Sequence, residues 1–239
     1  MLQVDGRELT SLIGWLDYLT VRDVPFAASL ALNKTAQRVK ADLRGEMERI
    51  FDRPTAFTLN ALQMKPSTKT DLKAEIGLKT SPDWGQHYLR PQVYGGARRH
   101  TRFEGALRHA GILPADKWAV PAKGFPLDSA GNLSRGIRMQ ILSALGAQRD
   151  VYANRSERSR KRRMAMAKKP PDWFIVSRNG KAEGIGRKQR DSLRLAIAFV
   201  SKPHYKPIFR FHEIGQRSAD ANISRSLSDA IEYVLRTSK

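Results

Sequence analysis

The stretch Pro25–Asp52, PFAASLALNKTAQRVKADLRGEMERIFD, decides the first half of the fold. Its apolar residues recur at spacings of three and four, which places them on one face of a helix of about seven turns. They are Leu32, Ala36, Val39, Leu43, Met47 and Ile50. Asp23 is a candidate cap, and Pro54 ends the helix. Because the opposite face carries charges of both signs, packing against a sheet is favoured over binding to a membrane surface.

The hydrophobic period changes to two after Pro54. Apolar residues alternate with polar ones over 57–61 and again over 72–78, with Pro66-Ser67 between them. This alternation predicts two half-buried strands joined by a turn. Two strands after a long amphipathic helix indicate an α+β layer.

Glycine, proline and aromatic residues are scattered through 81–150. Thr101-Arg-Phe-Glu104 is a capping-box pattern and predicts a helix that Gly111 closes. A second helix, capped by Asn132 and ending at Gly146, follows from four apolar residues at intervals of four: Leu133, Ile137, Ile141 and Leu145. An irregular loop, Pro114 to Gly131, is expected between the two helices.

Strand patterns return near the C-terminal end. Trp173–Arg178 is a short apolar run, Asn179-Gly180 is a hairpin turn signal, and 181–188 returns as the partner strand. A further strand is expected over Leu193–Phe199. The last element is a helix from about Ala219 to Arg236, with apolar residues on one face.

These elements predict an α+β fold, in which a long N-terminal amphipathic helix and a C-terminal helix pack on a mostly antiparallel sheet. Residues 1–80 and 171–239 are expected to form one α+β core. Residues 81–150 would be a Gly/Pro-rich helical insertion, and 151–170 a basic loop or arm.

Composition limits the possible functions. The 239 residues include 43 Lys+Arg, 23 Asp+Glu and no cysteine, for a net charge of +20. Without cysteine there are no disulfides, cysteine zinc sites, iron–sulfur clusters or thiol nucleophiles. The first residues lack the apolar core of a signal peptide, and no apolar run is long enough to span a membrane. We therefore expect a soluble protein without a membrane partner.

About a third of the net charge lies in 151–170, which holds eight basic residues against one acidic residue. The eight are Arg155, Arg158, Arg160, Lys161, Arg162, Arg163, Lys168 and Lys169. Such a segment is typical of an arm that contacts phosphates independently of sequence, and equally of a solvated linker. We treat its residues as candidate DNA-facing positions.

Catalytic motifs are incomplete or missing. The sequence has no P-loop, no Gly-x-Ser-x-Gly elbow, no metal-binding histidine pair and no paired carboxylates of the kind a nuclease needs. The prediction is a non-enzymatic protein without a metal or cofactor, and a nuclease is the enzymatic alternative. Basic and aromatic residues interleave after Trp173, as in proteins that stack single-stranded bases, but their phase favours core packing.

Four strings together resemble a family. They are Pro25–Ala36, Leu89–Gly96 running into Arg102–Leu107, Gly131–Gly136 leading into Gln140–Ser143, and Tyr205–Phe211 before the last helix. The chain resembles the minor tail and tail-completion proteins of tailed bacteriophages, similar to the minor tail protein Z group.

This resemblance implies a virion structural protein of the neck, assembled in the host cytoplasm. Such proteins form a homo-oligomeric ring, commonly six-fold, around the channel that the genome crosses. Its implied partners are the head–tail connector or portal-side proteins, the tail tube or terminator proteins, and packaged DNA without sequence specificity. The alternative is a free, sequence-independent nucleic-acid-binding protein.

Overall fold

The computed structural model describes residues 23–79, 87–150, 158, 172–189 and 192–237. The chain divides into two compact units. Unit 1 comprises 1–89 and 208–239, and unit 2 comprises 90–207. The polypeptide thus leaves unit 1 once and returns to it for the C-terminal helix.

Unit 1 contains three helices and one hairpin in the described ranges. They are α1 (Asp23–Ile50), α2 (Ala56–Leu59), β1 (Leu62–Lys65), β2 (Glu75–Leu78) and the C-terminal helix, α6 (Phe211–Thr237). Unit 2 contains α3 (Arg90–Tyr94), β3 (Gly96–Ala97), α4 (Arg102–His109), β4 (Trp118–Pro121), α5 (Arg135–Ala144), β5 (Asp172–Arg178), β6 (Lys181–Gln189), β7 (Ser192–Val200) and β8 (His204–Tyr205). The combination confirms the predicted α+β class.

The two long helices of unit 1, α1 and α6, pack against each other in antiparallel orientation. Arg38 donates a hydrogen bond to the Ser226 hydroxyl at 3.2 Å, and further along α1 the carboxylate of Asp42 accepts one from Ser218. Leu43 and Met47 on α1 and Val234 on α6 are almost fully buried. The stripe predicted for α1 therefore forms the core of this unit, largely against a second helix.

The β1–β2 hairpin is fastened to α1 at Ser67. The Ser67 carbonyl accepts hydrogen bonds from the Ser29 hydroxyl and the Asn33 amide, each at 3.0 Å. The Ser67 amide donates back to Asn33 Oδ1 at 2.7 Å. Because these bonds satisfy the backbone of the connecting loop, they hold the hairpin beside the helix.

The strand predicted at 57–61 is wrong. Residues 56–59 form the short helix α2, and the Thr55 hydroxyl accepts a hydrogen bond from the Thr58 amide as its N-cap. Phe57 is largely exposed, so the alternation of apolar and polar residues at 57–61 does not correspond to a buried face. The first strand starts at Leu62 and pairs with β2 in antiparallel register, Leu62 opposite Leu78.

Unit 2 is built on a four-stranded antiparallel sheet with strand order β4-β7-β6-β5. Asn179 and Gly180 have φ angles of 51° and 73°, as the predicted hairpin turn requires. A bulge between Ile185 and Gly186 aligns Gly186 with Leu195 and Ile185 with Ile197. The extra residue, Ala196, is buried together with Ile197.

Helices α4 and α5 supply the core that covers one face of this sheet. The buried cluster includes Leu107 and Ile141 from the helices, and Trp173, Ile185 and Ile197 from the sheet. The capping box predicted at Thr101 is present in full. The cap of α5 is Ser134, whose hydroxyl accepts from the Ile137 amide, and not Asn132 as predicted.

The structure groups the elements differently from the sequence prediction. Strands β5, β6 and β7 form one sheet with β4, which lies in the loop predicted to be irregular and pairs with β7. This sheet packs with α4 and α5. The three strands therefore belong with 90–150, and not with the N-terminal helix. The last helix begins at Phe211, eight residues before the predicted start at Ala219.

Candidate interaction surfaces

Of the eight basic residues predicted to contact DNA, only Arg158 lies in the described ranges, where it is exposed. The other seven lie outside the described residues: Arg155, Arg160, Lys161, Arg162, Arg163, Lys168 and Lys169. The predicted phosphate contact of this segment stays a prediction.

Charge is divided unequally between the two units. Unit 2 contains 26 Lys+Arg and 8 Asp+Glu, a net charge of 26 − 8 = +18. Unit 1 contains 17 Lys+Arg and 15 Asp+Glu, a net charge of 17 − 15 = +2. The sequence alone did not show this division, because unit 1 is assembled from the two ends of the chain. Unit 2 is thus the part of the molecule suited to a polyanion.

The sheet of unit 2 has a second apolar face. Phe174, Gly186 and Leu195 stand directly opposite one another on β5, β6 and β7, and so point to the same side of the sheet. Val176 and Leu193 share this side, which we call the outer face. Leu193 is 70% exposed and Leu195 42% exposed. Exposed apolar residues gathered on one sheet face are typical of a protein contact.

Among the described strands, one long edge of the same sheet, that of β5, is unpaired. β5 pairs with β6 only, and no described strand lies on its other side. Alternate residues of this seven-residue strand therefore direct backbone N–H and C=O groups toward that edge. A strand from another chain could add there by backbone hydrogen bonding.

Arg98 and Glu104 of unit 2 form an ion pair that is held by several hydrogen bonds. The Arg98 guanidinium donates two parallel hydrogen bonds of 2.7 Å to the two carboxylate oxygens of Glu104, which is 1% exposed. The Thr101 amide and the Ala119 amide donate to the same carboxylate at 2.6 and 2.8 Å. This arrangement joins the start of α4 to β4.

These partners decide the charge state of Glu104. Burial alone would raise the pKa of the Glu104 carboxyl, but the hydrogen bonds from Arg98, Thr101 and Ala119 outweigh it and lower the pKa below its ordinary value. The carboxylate is thus ionised and fully bonded within the protein. Both oxygens of this carboxylate already accept hydrogen bonds from the protein. To act as a catalytic base, the carboxylate would first have to lose one of these partners, so its role is to stabilise local structure.

Unit 1 contains a groove of about 440 Å³ lined by α1, α6 and β2. Its walls include Leu32, Val39, Ile76 and Phe211. The Thr35 hydroxyl, which also belongs to the lining residues, is buried without a hydrogen-bond partner among the described residues. The groove is suited to apolar side chains more than to a charged substrate.

In the described ranges, no three His, Asp or Glu side chains gather closely enough to hold a metal ion. None of the described helices combines the length and apolar character needed to cross a lipid bilayer.

The aromatic residues near the C-terminal end divide between core and surface. Trp173, Phe199 and Phe209 are buried, as the sequence prediction of core packing requires. Phe174 instead lies on the outer face, where its ring covers Gly186. The sequence indicates this position of Phe174 through two glycines on the neighbouring strand, Gly184 and Gly186. Because glycine has no side chain, they leave room for a large neighbour.

Comparison of the chain with protein-family models, curated proteins and solved structures finds no match.

Proposed function

We propose that this protein is a non-enzymatic structural subunit of a tailed-phage virion, a neck or tail-completion protein that joins the head connector to the tail around the DNA channel. The observation that carries the proposal is the division of charge, +18 in unit 2 against +2 in unit 1. A subunit that lines a DNA channel needs a strongly positive part that is compatible with the polyanion.

The charge of unit 2 suits duplex DNA that moves past the protein. Contacts with backbone phosphates carry no sequence information, so they would tolerate any part of a genome in the channel. The eight basic residues of 151–170 lie within this unit and are included in its net charge of +18.

The outer face and the free edge of β5 are the surfaces proposed for contacts between subunits. A ring needs a heterologous interface, in which one patch of a subunit meets a different patch of the next. An apolar sheet face next to an unpaired strand provides such a patch. The remaining partners in this proposal are the portal-side connector and the tail tube or terminator proteins, in the assembled virion.

The same charge favours one other function, a free nucleic-acid-binding protein that acts without a ring. The two functions differ in what the protein assembles into. A neck subunit forms a closed oligomer, alone or with virion components, whereas a free binding protein coats DNA as separate copies.

The test is the mass and shape of the purified protein, by light scattering and negative-stain imaging at low and high salt, with and without virion components. Leu193→Glu is expected to prevent ring closure because it places a charge on the outer face. Leu227→Glu, on α6 of unit 1 at 42% exposure, is the control. It should assemble like the unmodified chain.

Two results would contradict the proposal. One is a monomer at every salt concentration that binds DNA tightly and never closes into a ring with virion components. The other is the production of normal, tailed virions by a phage from which the gene for this chain has been deleted.

A further inference from the structure

Three residues lie in one row across the sheet of unit 2. Trp173 on β5 stands directly opposite Arg187 on β6, and Arg187 stands directly opposite Arg194 on β7. Residues opposite one another in antiparallel strands share a face, with Cβ atoms about 5 Å apart. The Arg187 guanidinium carbon lies 5.5 Å from the centre of the Trp173 ring.

The two arginines form a like-charge pair without an acidic partner in the described residues. Arg187 and Arg194 make no ion pair there. Glu183 is four residues from Arg187 on β6, about 13 Å away at the rise of a strand. Like charges placed directly opposite each other destabilise a sheet unless something compensates them.

Two hydrogen-bond donors of this row are also unused. The Trp173 indole Nε1 and the Arg187 Nε are both buried and have no hydrogen-bond partner in the described part of the chain. Trp173 is only 6% exposed. Buried N–H groups normally have a partner. Two buried donors without a partner in the described residues, beside two positive charges without an acidic partner there, therefore favour an anion at this place.

We propose that the guanidinium groups of Arg187 and Arg194, beside the Trp173 ring, bind a phosphate group of a nucleic-acid backbone. All free groups of the row are donors, and guanidinium groups match phosphate oxygens with two parallel hydrogen bonds. The net charge of +18 in the unit favours phosphates carried by a polyanion over a free phosphate ion. This binding does not depend on ring formation, so its test is separate from that of the proposed function.

The chain offers a matched control. Arg178 stands opposite Lys181 at the other end of β5 and β6, beside the Asn179-Gly180 turn. Both are exposed, and no buried unpaired donor accompanies them. The variant Arg178→Gln/Lys181→Gln therefore removes the same charge as Arg187→Gln/Arg194→Gln without touching the proposed site.

The first measurement is the binding of inorganic phosphate and of a short DNA duplex by NMR of the tryptophan indole N–H groups. Trp173→Phe identifies the Trp173 resonance. Both probes should shift that resonance in the unmodified chain and in the control variant, and neither should shift it in the Arg187→Gln/Arg194→Gln variant. A Trp173 resonance that does not move with either probe would overturn the proposal.

The second measurement is the affinity for a labelled DNA duplex at several salt concentrations. Loss of this phosphate contact should reduce the slope of log K against log salt by about 1 in the Arg187→Gln/Arg194→Gln variant. The control variant should lose less than half of that. Equal losses in both variants would show general electrostatic attraction, and phosphate binding with unchanged DNA affinity would show a free-anion site; either result refutes a nucleic-acid site.

A third readout excludes misfolding as the explanation. Removing a repelling pair should leave the Tm of the Arg187→Gln/Arg194→Gln variant unchanged or higher in chloride. Phosphate at matched ionic strength should raise the Tm of the unmodified chain and the control variant, but not that of the site variant. A site variant stabilised by phosphate as much as the control variant would contradict the assignment.

Discussion

Glu104 shows how one residue acquires a role that a local pattern describes only in part. The capping box predicted a bond between Glu104 and the Thr101 backbone, and both bonds of the box are present. The same carboxylate also receives Arg98 and the amide of Ala119, fifteen residues further along the chain. Those contacts depend on where β4 lies, which spacing within a helix does not encode.

We expect Glu104→Gln to lower the free energy of unfolding by about 3–5 kcal/mol at pH 7, because it breaks a buried, bidentate ion pair. The pKa of Glu104 is lowered in the folded protein, so its stabilisation is present above the ordinary pKa of about 4.3 and is lost as the pH falls through the folded value. The difference between the two proteins should therefore shrink in acid, as measured by urea unfolding at pH 7 and pH 3.5.

Glu48→Gln is the control for this experiment. Glu48 pairs with Arg44 on the exposed side of α1, and such surface pairs contribute about 1 kcal/mol or less. A Glu104→Gln protein as stable as Glu48→Gln at pH 7 would show that the buried pair is not a net stabiliser.

Among the elements, β6 is the one whose sequence is most tightly constrained by its neighbours. A Cβ added at Gly184 would lie 2.3 Å from the carbonyl oxygen of Ile197, a backbone atom of β7. A Cβ added at Gly186 would lie 2.4 Å from the Phe174 ring, a side chain that is able to move. The two glycines therefore resist substitution for different reasons.

We expect Gly184→Ala to lower the free energy of unfolding by about 1–3 kcal/mol, the usual range for overpacking. Gly186→Ala should also destabilise, but adding Phe174→Ala should remove most of that effect, because the ring is then absent. Gly45→Ala is the control, since Gly45 lies within α1 and nothing lies within 4 Å of its added Cβ. It should stabilise by about 0.5–1 kcal/mol. Urea unfolding of all four variants measures these differences, and a neutral Gly184→Ala would contradict the close approach of β6 and β7.

Sequence patterns predicted the positions of helices, strands and turns better than they predicted which of these elements pack together. The α1 stripe, the α4 capping box and the β5–β6 turn each depend on residues close in sequence, and all three predictions are confirmed. The prediction of a strand at 57–61 was wrong because the Thr55 cap stabilises a helical turn there, in spite of the alternating apolar residues. β4 was missed because Trp118–Pro121 is too short to show a period of its own.

At the scale of the whole molecule, each of the two units has its own hydrophobic core. Leu43 belongs to the helix pair of unit 1, and Leu107 belongs to the buried cluster of unit 2. Each is almost completely buried, so truncation to alanine should cost about 2–5 kcal/mol. Which elements this loss of stability affects depends on whether the two units unfold together or separately.

We expect Leu43→Ala to reduce amide hydrogen-exchange protection chiefly in α1 and α6, and Leu107→Ala chiefly in α4, α5 and the sheet of unit 2, because local openings follow cooperative units. Exchange measured by mass spectrometry on both variants tests this. Uniform loss of protection throughout the chain in either variant would show that the two cores unfold as one.

The sequence by itself determined the α+β class, the long amphipathic helices, the hairpin turn and the excess of positive charge, because each depends on composition or on residues within a few positions of one another. Only the tertiary structure decided that the C-terminal helix packs against α1, that the late strands join 90–150, and that almost all of the net charge belongs to unit 2. It also placed Trp173, Arg187 and Arg194 in one row. These facts depend on strand register and long-range packing, which join residues far apart in the chain and leave no local pattern.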